Sequence, residues 1–135
     1  MVQSVLRAYG IRRTQEALAY FLKTPRVTHK GTDTKEIIAV LKRYGLLVES
    51  GTNFSLARIV KHLSHNRLAI VCITEPHTNA GHYVVVDTIS KTHVYIMDPY
   101  HRLGINEKIS RKEFEKLWYD NVFTKTKRFA MIVGT

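Results

Sequence analysis

The stretch AGHYVVVDT, residues 80–88, and the stretch YIMDPY, residues 95–100, decide how the second half of the chain folds. The first places His82 just before three valines, and the second carries Asp98 at the end of an apolar run. Short runs of apolar and β-branched residues are typical of strands, and Ser90-Lys91-Thr92 between them is typical of a short hairpin turn. The pattern therefore predicts a β-hairpin whose open end carries His82 and Asp98.

A histidine and a carboxylate held at neighbouring strand ends can act together in catalysis. A neutral histidine can take a proton from a thiol or a hydroxyl, and a carboxylate bonded to its other ring nitrogen fixes the tautomer and the orientation. We therefore identify His82 and Asp98 as candidate catalytic residues. The alternative is structural, because a lone histidine often starts a strand without any chemical role and Asp-Pro commonly starts a turn.

The residues on either side of His82 are candidate substrate-binding residues. Gly81 has no side chain and leaves room for an extended substrate chain to approach closely. Tyr83 could line the same cleft, or its ring could fill the core. We expect Gly81 and Tyr83 to contact a bound peptide if the cleft lies beside His82.

The chain contains one cysteine, Cys72, which excludes an internal disulfide and a cysteine metal cluster. A single cysteine fits a reducing, cytoplasmic location. Its place in the middle of the run AIVCIT favours a buried structural residue over a nucleophile. His62 and His65 stand three residues apart without a third ligand nearby in the sequence, so we predict no metal site, and we predict no cofactor.

Composition describes a globular protein with a basic surface. The 135 residues are 44% hydrophobic and 24% charged, which fits one domain over residues 1–135. No apolar run approaches the roughly 20 residues that cross a bilayer. The formal net charge of +10 favours anionic partners, but the basic residues are dispersed and form no nucleic-acid motif. Nucleic acid is therefore disfavoured as a partner, and the pattern does not indicate an oligomeric state.

Periodicity and capping residues predict helices first and strands afterwards. Helices are predicted at residues 2–9, from a Thr14 cap to Pro25, within residues 31–45, from a Ser55 cap to Leu63, and from a Ser110 cap to Trp118. Strands are predicted at residues 46–48, 68–73, 82–89, 93–98 and 128–134. This order predicts an α+β fold, in which an N-terminal helical lobe packs on a mainly antiparallel sheet.

Five segments, in this order, resemble one known family, the papain-like cysteine peptidases that process the double-glycine leader peptides of bacteriocins. They are VQSVLRAYGI at residues 2–11, GTDTKEIIAVLKRYGL at 31–46, GHYVVV at 81–86, VYIMDP at 94–99 and SRKEFEKLW at 110–118. The resemblance implies the papain-like fold and a peptide or unfolded polypeptide segment as the partner. It also implies that His82 is the general base and Asp98 its orienting carboxylate.

The resemblance is incomplete at the N-terminus. The family's nucleophilic cysteine opens the first helix, and by the usual spacing it would fall just before Met1. The glutamine that donates to the oxyanion in the family would lie earlier still, so Gln3 and Gln15 do not match it. We therefore expect a shortened or degenerate cysteine peptidase that is inactive as these 135 residues, which leaves open whether the chain is an enzyme. A non-catalytic domain that binds a peptide or leader is the alternative, and a basic polyanion-binding protein is a weaker one.

Overall fold

A computed structural model describes Val5 and residues 34–74, 81–97, 106–120 and 126–135. The two helices predicted before residue 26 lie outside the described residues except for Val5, which is helical and fully buried. The chain divides into two compact units, Met1–Val48 with Thr135, and Glu49–Gly134. The single domain over residues 1–135 stays a prediction.

In the first unit, the predicted helix within residues 31–45 is confirmed as α1, Thr34–Arg43. Its buried face consists of Ile37, Val40 and Leu41, whereas Ile38 is only half-buried. The helix is amphipathic, so burial of this one face stabilises it more than the intrinsic preference of its residues does.

Gly45 ends α1 as its sequence position predicts. Its φ of 84° lies in the left-handed region, which glycine enters without a steric penalty. Gly45 N–H donates to Lys42 O at 3.0 Å, and Leu46 N–H donates to Leu41 O at 3.2 Å. These two bonds form a Schellman motif, which satisfies carbonyls that the end of the helix would otherwise leave without a donor.

The main sheet has six strands, which are β1 (Leu47–Gly51), β2 (Leu68–Thr74), β3 (Gly81–Ile89), β4 (His93–Met97), β5 (Asn106–Ser110) and β8 (Ala130–Gly134). They lie in the order β1-β8-β2-β3-β4-β5. Two short strands, β6 (Tyr119–Asp120) and β7 (Thr126–Lys127), pair separately. The helices of this part of the chain are α2 (Leu56–Leu63) and α3 (Arg111–Leu117). Helices with a largely antiparallel sheet confirm the α+β class.

Strand β2 forms the centre of this sheet and pairs antiparallel with both β3 and β8. Every residue of β2 after Leu68 is buried, which explains why its sequence is a continuous apolar run and not an alternating one. Alternate residues of β2, namely Ala69, Val71 and Ile73, belong to a core cluster that also contains Phe114 of α3. The cluster further includes Phe54, Leu56, Ile59, Val84, Val86, Val94, Ile96, Trp118, Ala130 and Ile132.

The predicted hairpin of β3 and β4 is confirmed. The strands pair antiparallel, and Ser90 N–H closes the turn by donating to His93 O at 2.8 Å. The register shifts between Val86 and Thr88, so the intervening Asp87 forms a bulge, and Asp87 and Thr88 are exposed.

The two serine caps are confirmed, whereas one strand of the sheet was not predicted. Ser55 Oγ accepts from Arg58 N–H and Ser110 Oγ accepts from Glu113 N–H, each at 3.1 Å. Strand β5 was not predicted from the sequence, because an edge strand as polar as NEKIS needs no apolar alternation.

Trp118 connects α3 to the start of β8, so its loss should weaken the second unit. Its indole Nε1–H donates to Phe129 O at 2.9 Å, and its ring centroid lies 5.2 Å from that of Phe114. Trp118→Phe removes the donor and leaves a cavity, so we expect it to lower the free energy of unfolding by about 2–4 kcal/mol. Urea denaturation followed by circular dichroism measures this change. Lys112→Ala, at an exposed position of α3, is the control and should change stability by less than about 0.5 kcal/mol. Equal effects of the two variants would contradict this role for Trp118.

Gly45→Ala tests the helix end by backbone strain alone. A Cβ at Gly45 would meet no atom within 4 Å, so the expected loss of about 1 kcal/mol comes only from the positive φ. Gly51→Ala is the matched control, since its added Cβ would make an ordinary 3.4 Å contact with Phe54. Thermal denaturation of both variants compares them, and a Gly45→Ala protein as stable as Gly51→Ala would rule out the strain.

Candidate functional site

His82 lies at the start of β3, where the sequence analysis placed it. It is half-buried, and the register pairs it with Ile73 of β2. Directly opposed residues of an antiparallel pair project from the same face of the sheet, and Ile73 belongs to the core cluster. The His82 side chain therefore projects from the face that carries this cluster, at the end of the sheet where β3 begins.

The described part of β4 ends opposite the middle of β3. Met97, the residue before Asp98, pairs with Val85, which follows His82 by three residues. Asp98 itself lies outside the described residues, so its pairing with His82 stays a prediction.

Cys72 is not placed to act with His82. It is 2% exposed, and the register pairs it with Tyr83, the residue next to His82. Because successive residues of a strand project from opposite faces, the sheet separates the thiol of Cys72 from the imidazole of His82. The prediction that Cys72 is a buried cysteine is confirmed, and Cys72 is not the nucleophile of a site at His82.

Gly81 and Tyr83, the candidate substrate-binding residues, flank His82 at the first positions of β3. Gly81 is half-exposed and opposes Thr74. Tyr83 is half-buried, with its ring edge-to-face against Phe129 at a centroid distance of 6.5 Å. Positions 81 and 83 both lie on the face opposite to His82. Gly81 carries no side chain, so the backbone just before the imidazole can be approached closely.

Thr74, which was not predicted as part of the site, fixes the strand end beside Gly81. Thr74 is 4% exposed, and its Oγ1 donates to Tyr119 O at 2.6 Å. This bond ties the end of β2 to β6 and holds the partner strand of His82 in place. A polar residue that closes a buried apolar run was the available sequence signal.

Two further findings concern metal binding and membrane-spanning helices. Within the described ranges, no three His, Cys, Asp or Glu side chains are grouped so as to hold a metal ion. The same residues include no helix long and apolar enough to cross a membrane.

Comparisons with known proteins agree with this architecture. The chain superposes on the peptidase domain of Streptococcus ComA, a bifunctional ABC transporter involved in quorum sensing, with a TM-score of 0.74 and 20% identity over 98% of this chain and 86% of that one. It superposes on a C39-like peptidase from Bacillus anthracis with a TM-score of 0.70 and 15% identity over 99% and 87% of the two chains. At such identities these matches establish the fold, which is the papain-like one predicted. No curated protein sequence matches the chain.

The family model for the Peptidase C39 family matches residues 1–130. The matched range includes all five segments that carried the resemblance and extends across β3, where His82 lies. The chain therefore belongs to the Peptidase C39 family.

Proposed function

We propose that this protein binds an extended peptide segment beside His82, as a C39 peptidase-like domain. The observation that carries the proposal is the position of His82, which is half-buried at a strand end within a chain matched to the family over residues 1–130. Gly81 precedes His82 at the strand end and carries no side chain, so an extended peptide could approach its backbone closely. The double-glycine leader peptides of the family are the corresponding class of ligand.

In this proposal His82 is the general base and Asp98 orients it. His82 would take the proton of a cysteine thiol as the thiolate attacks the peptide carbonyl, and would then return that proton to the leaving amine. Asp98 would accept a hydrogen bond from the other ring nitrogen and so hold the tautomer that leaves one nitrogen free to receive the proton. Water would then hydrolyse the thioester, with His82 again acting as the base.

This function has two possible forms, a catalytic form with a nucleophilic cysteine and a binding form without one. Cys72 is the only cysteine in the sequence and projects from the other face of the sheet from His82, so these 135 residues should bind a peptide without cleaving it. In the catalytic form, a cysteine from a segment before Met1 would complete the site. The binding form needs no thiol at all. The cytoplasmic location suggested by the single cysteine stays a prediction in both.

Gly81→Val tests peptide binding by the 135-residue protein. The added side chain would obstruct a peptide that crosses the end of the strand close to the Gly81 backbone, so we expect it to weaken affinity for a fluorescent double-glycine leader peptide by about tenfold or more. Fluorescence anisotropy measures the affinity. Thr88→Val is the control, because it places the same valine side chain at the exposed far end of the same strand, and it should bind the peptide like the unmodified protein. Equal affinity in all three proteins would place the peptide elsewhere or exclude it.

His82→Ala tests the catalytic form in protein that carries its native upstream residues. If these supply a cysteine, we expect thiol-dependent cleavage, and His82→Ala should lower kcat by at least about 10³-fold, as loss of a triad member does. Mass spectrometry of the peptide products measures the rate. His93→Ala is the control, since His93 begins β4 at the turn end of the same hairpin and should leave the rate unchanged. Cleavage that survives His82→Ala would refute the assignment of the base.

A further inference from the structure

A surface pocket of about 320 Å³ lies at the C-terminal end of α2, and all the side chains that line it are basic: Arg58, Lys61, His62, His65 and Arg67. We call it the basic pocket. The spacing of the first four residues places them along one side of α2 and the turn that follows it. The fifth, Arg67, directly precedes β2. The volume is at the lower end of the range for small-molecule sites.

Arg67 and His62 hold each other in position within the basic pocket. Arg67 Nη1 lies 2.9 Å from His62 Nδ1, and because a guanidinium can only donate, His62 Nδ1 accepts. A neutral His62 therefore carries its proton on Nε2, where it is a hydrogen-bond donor. Burial lowers the pKa of His62, against the opposing effect of Glu49, and Arg67 lowers it further. The neutral, accepting form is thus the favoured one beside Arg67.

Arg58 is also held in place before any ligand arrives. Its guanidinium carbon lies 3.9 Å from the centroid of the Phe54 ring, and its Nη2 donates to Glu49 Oε1 at 3.3 Å. Since a guanidinium has five N–H donors, Arg58 keeps most of them after this bond. In the described parts of the chain, Glu49 is the one carboxylate that forms an ion pair with the basic pocket.

The charge of the basic pocket matches a dianion. Arg58, Lys61 and Arg67 carry three positive charges, and Glu49 carries one negative charge. With both histidines counted as uncharged, the net charge is +2. Neutralising the negative end of the α2 dipole would account for Lys61 and His62, but not for Arg67, which lies beyond the helix and is turned back onto it. A phosphate monoester carries about −1.5 to −2 at pH 7, whereas a carboxylate carries one charge.

We propose that the basic pocket binds the phosphate group of a small phosphorylated molecule, with Arg67 and Lys61 as its main contacts. The pocket is distinct from the peptide site, because Arg67 directly precedes β2 whereas Ile73 is next to its last residue. Six steps along the strand separate the two residues, which is about 20 Å, and Ile73 is the partner of His82. The proposal therefore does not depend on peptide binding or on cleavage.

Isothermal titration of the 135-residue protein with inorganic phosphate and with pyrophosphate at low ionic strength tests this site. We expect one phosphate per chain, and an affinity at least about tenfold lower in the double variant Lys61→Ala/Arg67→Ala. Lys112→Ala/Lys116→Ala is the matched control. It removes the same charge from exposed positions on α3 and should change affinity by less than about twofold. Should Lys61→Ala/Arg67→Ala fail to fold, Arg67→Gln serves for the comparison and should also weaken binding more than the control.

Three results would overturn the proposal. The first is no heat of binding with either anion, and the second is an equal loss in the two double variants, which would mean that only net charge matters. The third comes from vesicles containing phosphatidic acid: binding to them that excess inorganic phosphate cannot compete away would make a lipid surface, and not a free phosphate group, the ligand. Vesicle binding that phosphate abolishes would support the proposed site.

Discussion

The register between β2 and β3 is the constraint on which the functional interpretation depends. Each residue of β2 has a fixed partner on β3, and neighbouring residues along a strand project from opposite faces. A shift of one residue would exchange the faces of every side chain on β3. It would turn His82 to the face of Cys72, and Val84 and Val86 would leave the core cluster. Val84 and Val86 belong to the core cluster and alternate with His82, and they therefore mark the face from which the imidazole projects.

The burial of β2 also explains why the chain's single thiol is structural. Cys72 fills a position between Ile70 and Thr74 on one side of a strand that is buried along nearly its whole length. A small apolar side chain suits such a position. The family's chemistry needs a thiol at the surface of a cleft, so His82 and Cys72 are neighbours in register and yet cannot react with one another.

Much of the fold could be predicted because its signals are local. The caps at Ser55 and Ser110, the glycine at position 45 and the hairpin turn each follow from a few adjacent residues.

The features that could not be predicted depend on tertiary context. The pairing of polar β5 with β4 leaves no periodic trace, and the bulge at Asp87 is determined by the partner strand. At the candidate site, His82 and Gly81 were identified from sequence, whereas Thr74 was not, because its bond to Tyr119 O joins residues far apart along the chain. The basic pocket was visible only as two histidines three residues apart until the structure placed Arg67 beside them.

The proposed function depends on peptide binding at the start of β3. Nuclear magnetic resonance can test this binding by following the imidazole signals of the 135-residue protein during titration with a double-glycine leader peptide. We expect the resonances of His82 to move in proportion to the bound fraction, whereas those of His93, at the other end of the hairpin, stay in place. Saturable binding that leaves the His82 resonances unmoved would contradict it.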